Sequence, residues 1–180
     1  GYLRARGALP GPPLTAMVPM ARRGTDQAGS GGNAVSTVLA TLATDVDDPV
    51  ERLVRISASA RAGKARFAGT TTNQSLALSA LSTAGVLAGP LTGWGARPPF
   101  NVVDPNQAGP AGPRWWDGAR LDEMYPVSVP VDGQALNISV LSSAGRLGVG
   151  LTACARSVPD LPRLVDHLDE ALRELEGVLA

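Results

Sequence analysis

The chain has 180 residues, with 16 basic and 16 acidic side chains, one cysteine and one histidine. Zero formal net charge and 4% aromatic content provide neither a basic footprint for phosphate backbones nor a stacking platform for bases, which argues against nucleic-acid binding. With Cys154 and His167 each alone of their kind, no intrachain disulfide and no metal site is expected, and the cysteine usage fits a reducing cytoplasm.

A length of 180 suits a single domain over residues 1–180. The opening GYLRARGALPGPP has no charged start leading into an apolar run and no cleavage site, so it does not read as a secretion signal, and the missing initiator methionine reads as the mark of a fragment. LTAMVPM, residues 14–20, follows a Pro-Gly-Pro-Pro breaker and predicts a buried strand. Residues 21–33 are polar and glycine-rich and predict a flexible loop. VSTVLATLAT, residues 35–44, predicts a second strand beside the first.

Asp48-Pro49 then predicts a helix start, with an acceptor side chain at the cap and proline where its missing N–H does no harm. The helix should run to about Lys64, burying Val50, Leu53, Val54 and Ala58, with Asp48–Arg52 and Glu51–Arg55 paired on its wet side. Between Arg66 and Arg97 no residue is charged. A helix is predicted over 72–87, but serines, glycines and Pro90 keep the apolar length short of the roughly 20 residues of a membrane span. A buried or interfacial helix is the expectation, and peripheral membrane contact through residues 67–96 is compatible with it.

FNVV, residues 100–103, predicts a short strand that the following DPNQAGP should stop by turn chemistry. Trp115 and Trp116 either cover a core edge or form a ligand wall. YPVSVPV, residues 125–131, alternates but contains Pro126 and Pro130, which suits an edge or irregular strand. QALNISVLSSAGRLGVGLTACA is a hairpin by its period of two and its Ser143-Ala144-Gly145 turn. From Asp160 onward Leu161, Leu164, Val165, Leu168, Leu172, Leu175 and Leu179 follow helical spacing, and that face should dock on the hairpin sheet. The fold class is α/β (α+β), a mixed β-sheet with packed helices.

No complete catalytic constellation is visible. Cys154 follows an alternating strand, where a small buried residue is expected, and His167 occupies a solvated helix position, so the two do not read as a nucleophile and its base. Asp45, Asp47 and Asp48 read as capping groups, and GSGGN and GWG lack the strand-then-helix setting of a phosphate loop.

MVPMARR, Gly32-Asn33, DPVERLVRI, FNVVDPNQAGP, YPVSVPVDGQALNISVLSSAGRLGVGLTA and VPDLPRLVDHLDEALREL, in that order from about Leu3 to Leu179, resemble the carboxyl-terminal half of the bacterial wax ester synthase and diacylglycerol acyltransferase family. The family pattern Asn-Val-x-x-Ser-Asn-Val-Pro-Gly-Pro matches at Asn101, Val102, Asn106, Gly109 and Pro110, with Pro105, Gln107 and Ala108 replacing its serine, valine and proline. The resemblance implies one lobe of a two-lobed, chloramphenicol-acetyltransferase-like architecture in which acyl-CoA and an alcohol meet between the lobes. The catalytic His-His-x-x-x-Asp-Gly motif, whose second histidine is the general base, belongs to the amino-terminal lobe and is absent from this chain.

The implied function is therefore the carboxyl-terminal lobe of an acyl-CoA-dependent O-acyltransferase making triacylglycerol or wax ester, inactive alone, with the amino-terminal lobe as partner. Acyl-CoA is then a substrate, and no cofactor is required. A non-catalytic acyl-chain or partner-binding module on the same scaffold is the alternative. Cleft candidates are Asn101, Asn106, Gly109, Pro110, Gln134 and Asn137, for which structural use of the asparagines competes with ligand contact. The location implied is cytoplasmic, with peripheral contact to the inner membrane or lipid droplets compatible with it.

Overall fold

The computed structural model describes residues 1–21, 35–67, 69–70, 74, 77, 99–130 and 133–179. The predicted helix over 72–87 lies outside these apart from Gln74 and Ala77, both helical. The predicted loop, apart from Ala21, and most of the uncharged segment 67–96 lie outside them too, as do GSGGN and GWG. A short helical turn, α1 (Tyr2–Ala5), precedes the first strand.

Strands β1 (Thr15–Ala21) and β2 (Val35–Thr41) pair antiparallel from Thr15 opposite Thr41 to Ala21 opposite Val35, as their shared apolar density predicts. Helix α2 (Pro49–Ala65) starts as its sequence dictates: Asp48, extended at φ −66° and ψ 123°, accepts a hydrogen bond from the Glu51 N–H at 2.7 Å. Glu51 and Arg55 pair at 2.7 Å. Arg52 does not pair with Asp48; it donates to the Val46 and Asp47 carbonyls at 2.9 and 2.8 Å, because the Asp48 carboxylate is engaged by the cap. Asp48→Ala should cost about 1 kcal/mol, which a melting curve would read as a drop of about 2–4 °C.

The buried side of α2 differs from the expected one. Leu53 and Val54 are 40% and 61% exposed, and the face turned inward carries the small residues Ser59, Ala60 and Gly63. Small side chains let the helix axis approach the sheet. Ser59 Oγ accepts from the Thr41 N–H at 3.0 Å, and a Cβ on Gly63 would overlap Cγ1 of Val38, a residue only 2% exposed.

The segment FNVVDPNQAGP does not stop at its turn signals. β3 (Val102–Val103) pairs parallel with β1, Ala16 opposite Val102, and β4 (Asn106–Ala108) resumes beyond Asp104-Pro105. Val103 lies opposite Asn137 and Asn106 opposite Val140, the same offset on both sides of the break, so β3 and β4 are one strand interrupted without a change of register. Pro105 has no N–H to give the ladder, yet its carbonyl still accepts from Val140 N–H at 2.9 Å. Gly109 N–H then donates to the Ser142 carbonyl at 2.7 Å and Pro110 C=O accepts from Ala144 N–H at 3.0 Å, so pairing runs to the end of the motif.

The partner of that strand is β7 (Leu136–Ser143), which returns antiparallel as β8 (Arg146–Ala153) through a two-residue turn. Ala144 and Gly145 both have positive φ, 48° and 79°, the conformation a two-residue hairpin demands. The sheet order is thus β2, β1, β3 with β4, β7, β8. Between β4 and β7 a separate ribbon forms, β5 (Arg114–Trp116) with β6 (Ala119–Leu121), turning at Asp117-Gly118.

Register assigns the faces. Ala16, Val38, Ala40, Val102, Leu136, Ile138 and Val140 share the side on which α2 lies; Val103, Gln107, Gly109, Asn137, Ser139 and Leu141 share the other. Along β7 the polar side is the more deeply buried one: Asn137 is 5% and Ser139 3% exposed, whereas Leu136, Ile138 and Val140 are half-buried. On this same polar face an extended strap, residues 122–130, runs over β8 at Gly148 and Gly150, which are in register with Leu141 and Ser139. This irregular path matches the expectation from Pro126 and Pro130.

The last helix, α3 (Leu161–Leu179), has the strong apolar stripe its spacing predicts, but it does not lie flush on the hairpin. It neighbours α1 and α2 instead, and none of its residues is buried. A cavity of about 590 Å³ separates Leu164 of this helix from Leu136 and Ile138 of β7. No helix among the described residues is long and apolar enough to cross a membrane.

Candidate substrate-cleft wall

The predicted site residues fall into three structural settings. Asn101 clips β3 to β1: its N–H donates to the Thr15 carbonyl and its Oδ1 accepts from the Thr15 N–H, both at 2.8 Å, while its side chain reaches the rim of the 590 Å³ cavity. Gly109 and Pro110 hold the strand's end against the hairpin. A Cβ on Gly109 would lie 2.6 Å from the Ser142 carbonyl oxygen, so only glycine permits this approach. Asn106 is exposed in β4.

Gln134 and Asn137 belong to the buried polar layer. Asn137 Oδ1 accepts from Ser139 Oγ at 2.7 Å, and Gln134, 5% exposed, leaves its Nε2 with no partner among the described residues. Asn106 and Asn137 point to opposite faces, since Asn106 is in register with Val140 and Asn137 with Val103. The six candidates therefore line one strand and its neighbour, but they do not converge on a single point.

Asp104, which sequence reasoning passed over, sits at the break in the strand. Its N–H donates to the Met17 carbonyl at 2.9 Å, its Oδ1 is buried with no partner among the described residues, and burial pushes the carboxyl above the usual aspartate value. A charged residue directly after FNVV was the available signal, hidden by the assumption that the strand ended there. With the folded-state value raised, the penalty is absent below the ordinary aspartate range and grows as pH rises through the folded value. Asp104→Asn should therefore raise the thermal midpoint at pH 7, and the gain should vanish when both proteins are melted below about pH 4.

Neither lone reactive residue makes a catalytic pair. Cys154 is exposed, contrary to the buried position expected of it, because it stands one residue beyond β8; backbone N–H groups of Ser157 and Arg156 hydrogen-bond the sulfur and hold the thiol below its usual value. His167 Nδ1 lies 3.0 Å from Glu170 Oε2 and meets Tyr2 edge-on. Among the described residues no three His, Cys, Asp or Glu side chains are grouped as metal ligands. The arrangement can present amides, a half-buried carboxyl and an apolar cavity to a ligand; among the described residues no general base is poised against a nucleophile.

Residues 31–176 match the family model of the WS/DGAT C-terminal domain. The chain belongs to this family. A probable diacylglycerol O-acyltransferase of Mycobacterium tuberculosis is 47% identical over 177 residues, covering 97% of this chain and 39% of the relative. The O-acyltransferase WSD of Acinetobacter baylyi is 42% identical over 183 residues, covering 99% and 39%. Among solved structures, a wax ester synthase/diacylglycerol acyltransferase from Marinobacter aquaeolei superposes with a TM-score of 0.82 at 36% identity, again over 97% of this chain and 39% of that one. This chain therefore spans about two-fifths of the length of each of these relatives and corresponds to their carboxyl-terminal part. The mixed sheet with packed helices is their shared, chloramphenicol-acetyltransferase-like fold.

Proposed function

We propose that this chain is the carboxyl-terminal lobe of an acyl-CoA-dependent O-acyltransferase that transfers a fatty acyl group to diacylglycerol or a long-chain alcohol. The observation that carries the reading is the match along 97% of this chain to an acyltransferase of which it covers only 39%. The strand that carries Asn101, Asn106, Gly109 and Pro110 would form one side of a cleft, with Asn106 exposed on it and Asn137 supporting the neighbouring strand from the opposite face. The amino-terminal lobe would supply the other side and the histidine that takes the proton from the attacking hydroxyl as its oxygen adds to the thioester carbonyl. Acyl-CoA acts as substrate, and the chemistry calls for no further cofactor. The protein would work in the cytoplasm, with peripheral contact at the membrane or lipid droplets where its alcohol substrates partition.

The test is to join this chain to the amino-terminal part of the Acinetobacter relative and to follow thiol release from palmitoyl-CoA with diacylglycerol or hexadecanol. Turnover in the joined protein and none from the 180-residue chain alone is expected. Equal rates from both, or none from either, would defeat the reading.

The cavity favours a second reading, a non-catalytic acyl-binding module. Its volume of about 590 Å³ and its walls of Leu14, Leu136, Ile138 and Leu164 suit an apolar ligand of ordinary size. Calorimetry separates the readings: binding of palmitoyl-CoA but not of CoA by the chain alone would favour the module, and heat from neither would remove it.

A further inference from the structure

The strap alternates in burial with a period of two. Met124, Pro126, Ser128 and Pro130 are half-buried toward β8, while Tyr125, Val127 and Val129 are 63%, 86% and 78% exposed. A strand exposed to water on its outer side carries polar residues there, and one covered on both sides is apolar on both. This strap has the second pattern and, in the chain alone, the first environment. The Met124 and Pro126 carbonyls pack against Gly148 and Gly150, and the two prolines have no N–H, but the N–H and C=O groups of Tyr125, Val127 and Val129 make no backbone hydrogen bond among the described residues.

The neighbouring β5–β6 ribbon has the same character. Trp115, Trp116 and Leu121 are 64%, 85% and 44% exposed, and among the described residues the ribbon pairs with no other strand. A two-stranded ribbon without support is marginal in water, and a run of six large exposed apolar side chains within residues 115–129 marks an interaction surface.

We propose that the ribbon and strap are the edge on which the remainder of the acyltransferase polypeptide docks, by adding a β-strand along residues 122–130 and covering Tyr125, Val127, Val129 and the two tryptophans. The inference rests on the lobe reading above. Two observations choose this occupant over a lipid surface. The relatives carry about three-fifths of their length outside the part this chain matches, which is ample to supply the partner surface. The unpaired N–H and C=O groups of Tyr125, Val127 and Val129 find partners in another strand and none in hydrocarbon.

Amide hydrogen exchange across residues 115–129 decides the matter. It is measured on the 180-residue chain alone, on the chain with the amino-terminal part of the Acinetobacter relative added in trans, and on the two joined. Exchange should slow at least about tenfold when the other part is present, and Val127→Asp should reverse that protection while leaving the melting of the isolated chain unchanged, because Val127 is already in water. Unchanged exchange in both assemblies overturns the proposal, as does protection that appears only with phosphatidylglycerol vesicles containing diacylglycerol. Thiol release in the joined protein is followed in parallel: turnover with an unprotected strap defeats the docking edge alone, and a protected strap without turnover defeats the acyltransferase reading alone.

Discussion

Gly150→Ala is expected to lower the thermal midpoint by about 5–10 °C, corresponding to about 2–3 kcal/mol. The added methyl would occupy the position of the Pro126 carbonyl oxygen, a backbone atom that cannot rotate aside. Gly148 stands in the same relation to the Met124 carbonyl, so the two glycines of the Gly-Val-Gly run form a flat track on which the strap rests. The intervening Val149 lies on the opposite face, in register with Val140, and Val149→Ala should leave the strap in place. Differential scanning calorimetry of the glycine variants checks the magnitude. A change of less than about 1 °C would mean that the strap lifts freely and that the burial of Asn137 and Ser139 does not depend on it.

Asn137→Asp should destabilise the chain by about 2–4 kcal/mol at pH 7 and much less in acid. The position is 5% exposed and, among the described residues, its side chain's hydrogen-bonding neighbour is the Ser139 hydroxyl, which cannot compensate a full charge. A carboxyl placed there would have its folded value raised by desolvation. The penalty is therefore absent below the ordinary aspartate value, near 3.9, and reaches its full size above the folded value. Urea denaturation at pH 7 and at about pH 3, below the ordinary aspartate value, measures both ends. Equal destabilisation at the two pH values would show that shape, and not charge, governs the site. In either case the expected primary role of Asn137 is to organise the polar layer beneath the strap.

The elements that were legible in the sequence are those whose cause is local. Asp48-Pro49 announces the start of α2 through its own side chain and ring, and the alternation around Ser143-Ala144-Gly145 announces the hairpin. What remained hidden depends on distant partners. Asp104-Pro105 and Gly109 carry turn chemistry, yet parallel pairing with β7 holds them in strand register. The inward side of α2 was misjudged because leucine and valine signal burial, whereas close approach selected Ser59, Ala60 and Gly63. The same holds for the site. Asn101, Asn106 and Asn137 could be named from a motif, but the opposite orientation of the last two follows only from the pairing of Val103 with Asn137. The apolar stripe of α3 was plain in the sequence, and its neighbours were not.

The parallel seam between β1 and β3 has a bearing on how the chain folds and breathes. β1, β2 and α2 come from residues 15–65 and β3 through β8 from residues 102–153, and among the described residues the two blocks pair in register only at Ala16–Val102 and Met17–Val103, extended by the Asn101 clip and the Asp104 N–H. Each block can assemble from short-range contacts, while the seam must close a loop of more than eighty residues. It is the natural last step of folding and the first place to part under mild denaturant, which makes Asn101 the rivet of a molecule built in two instalments.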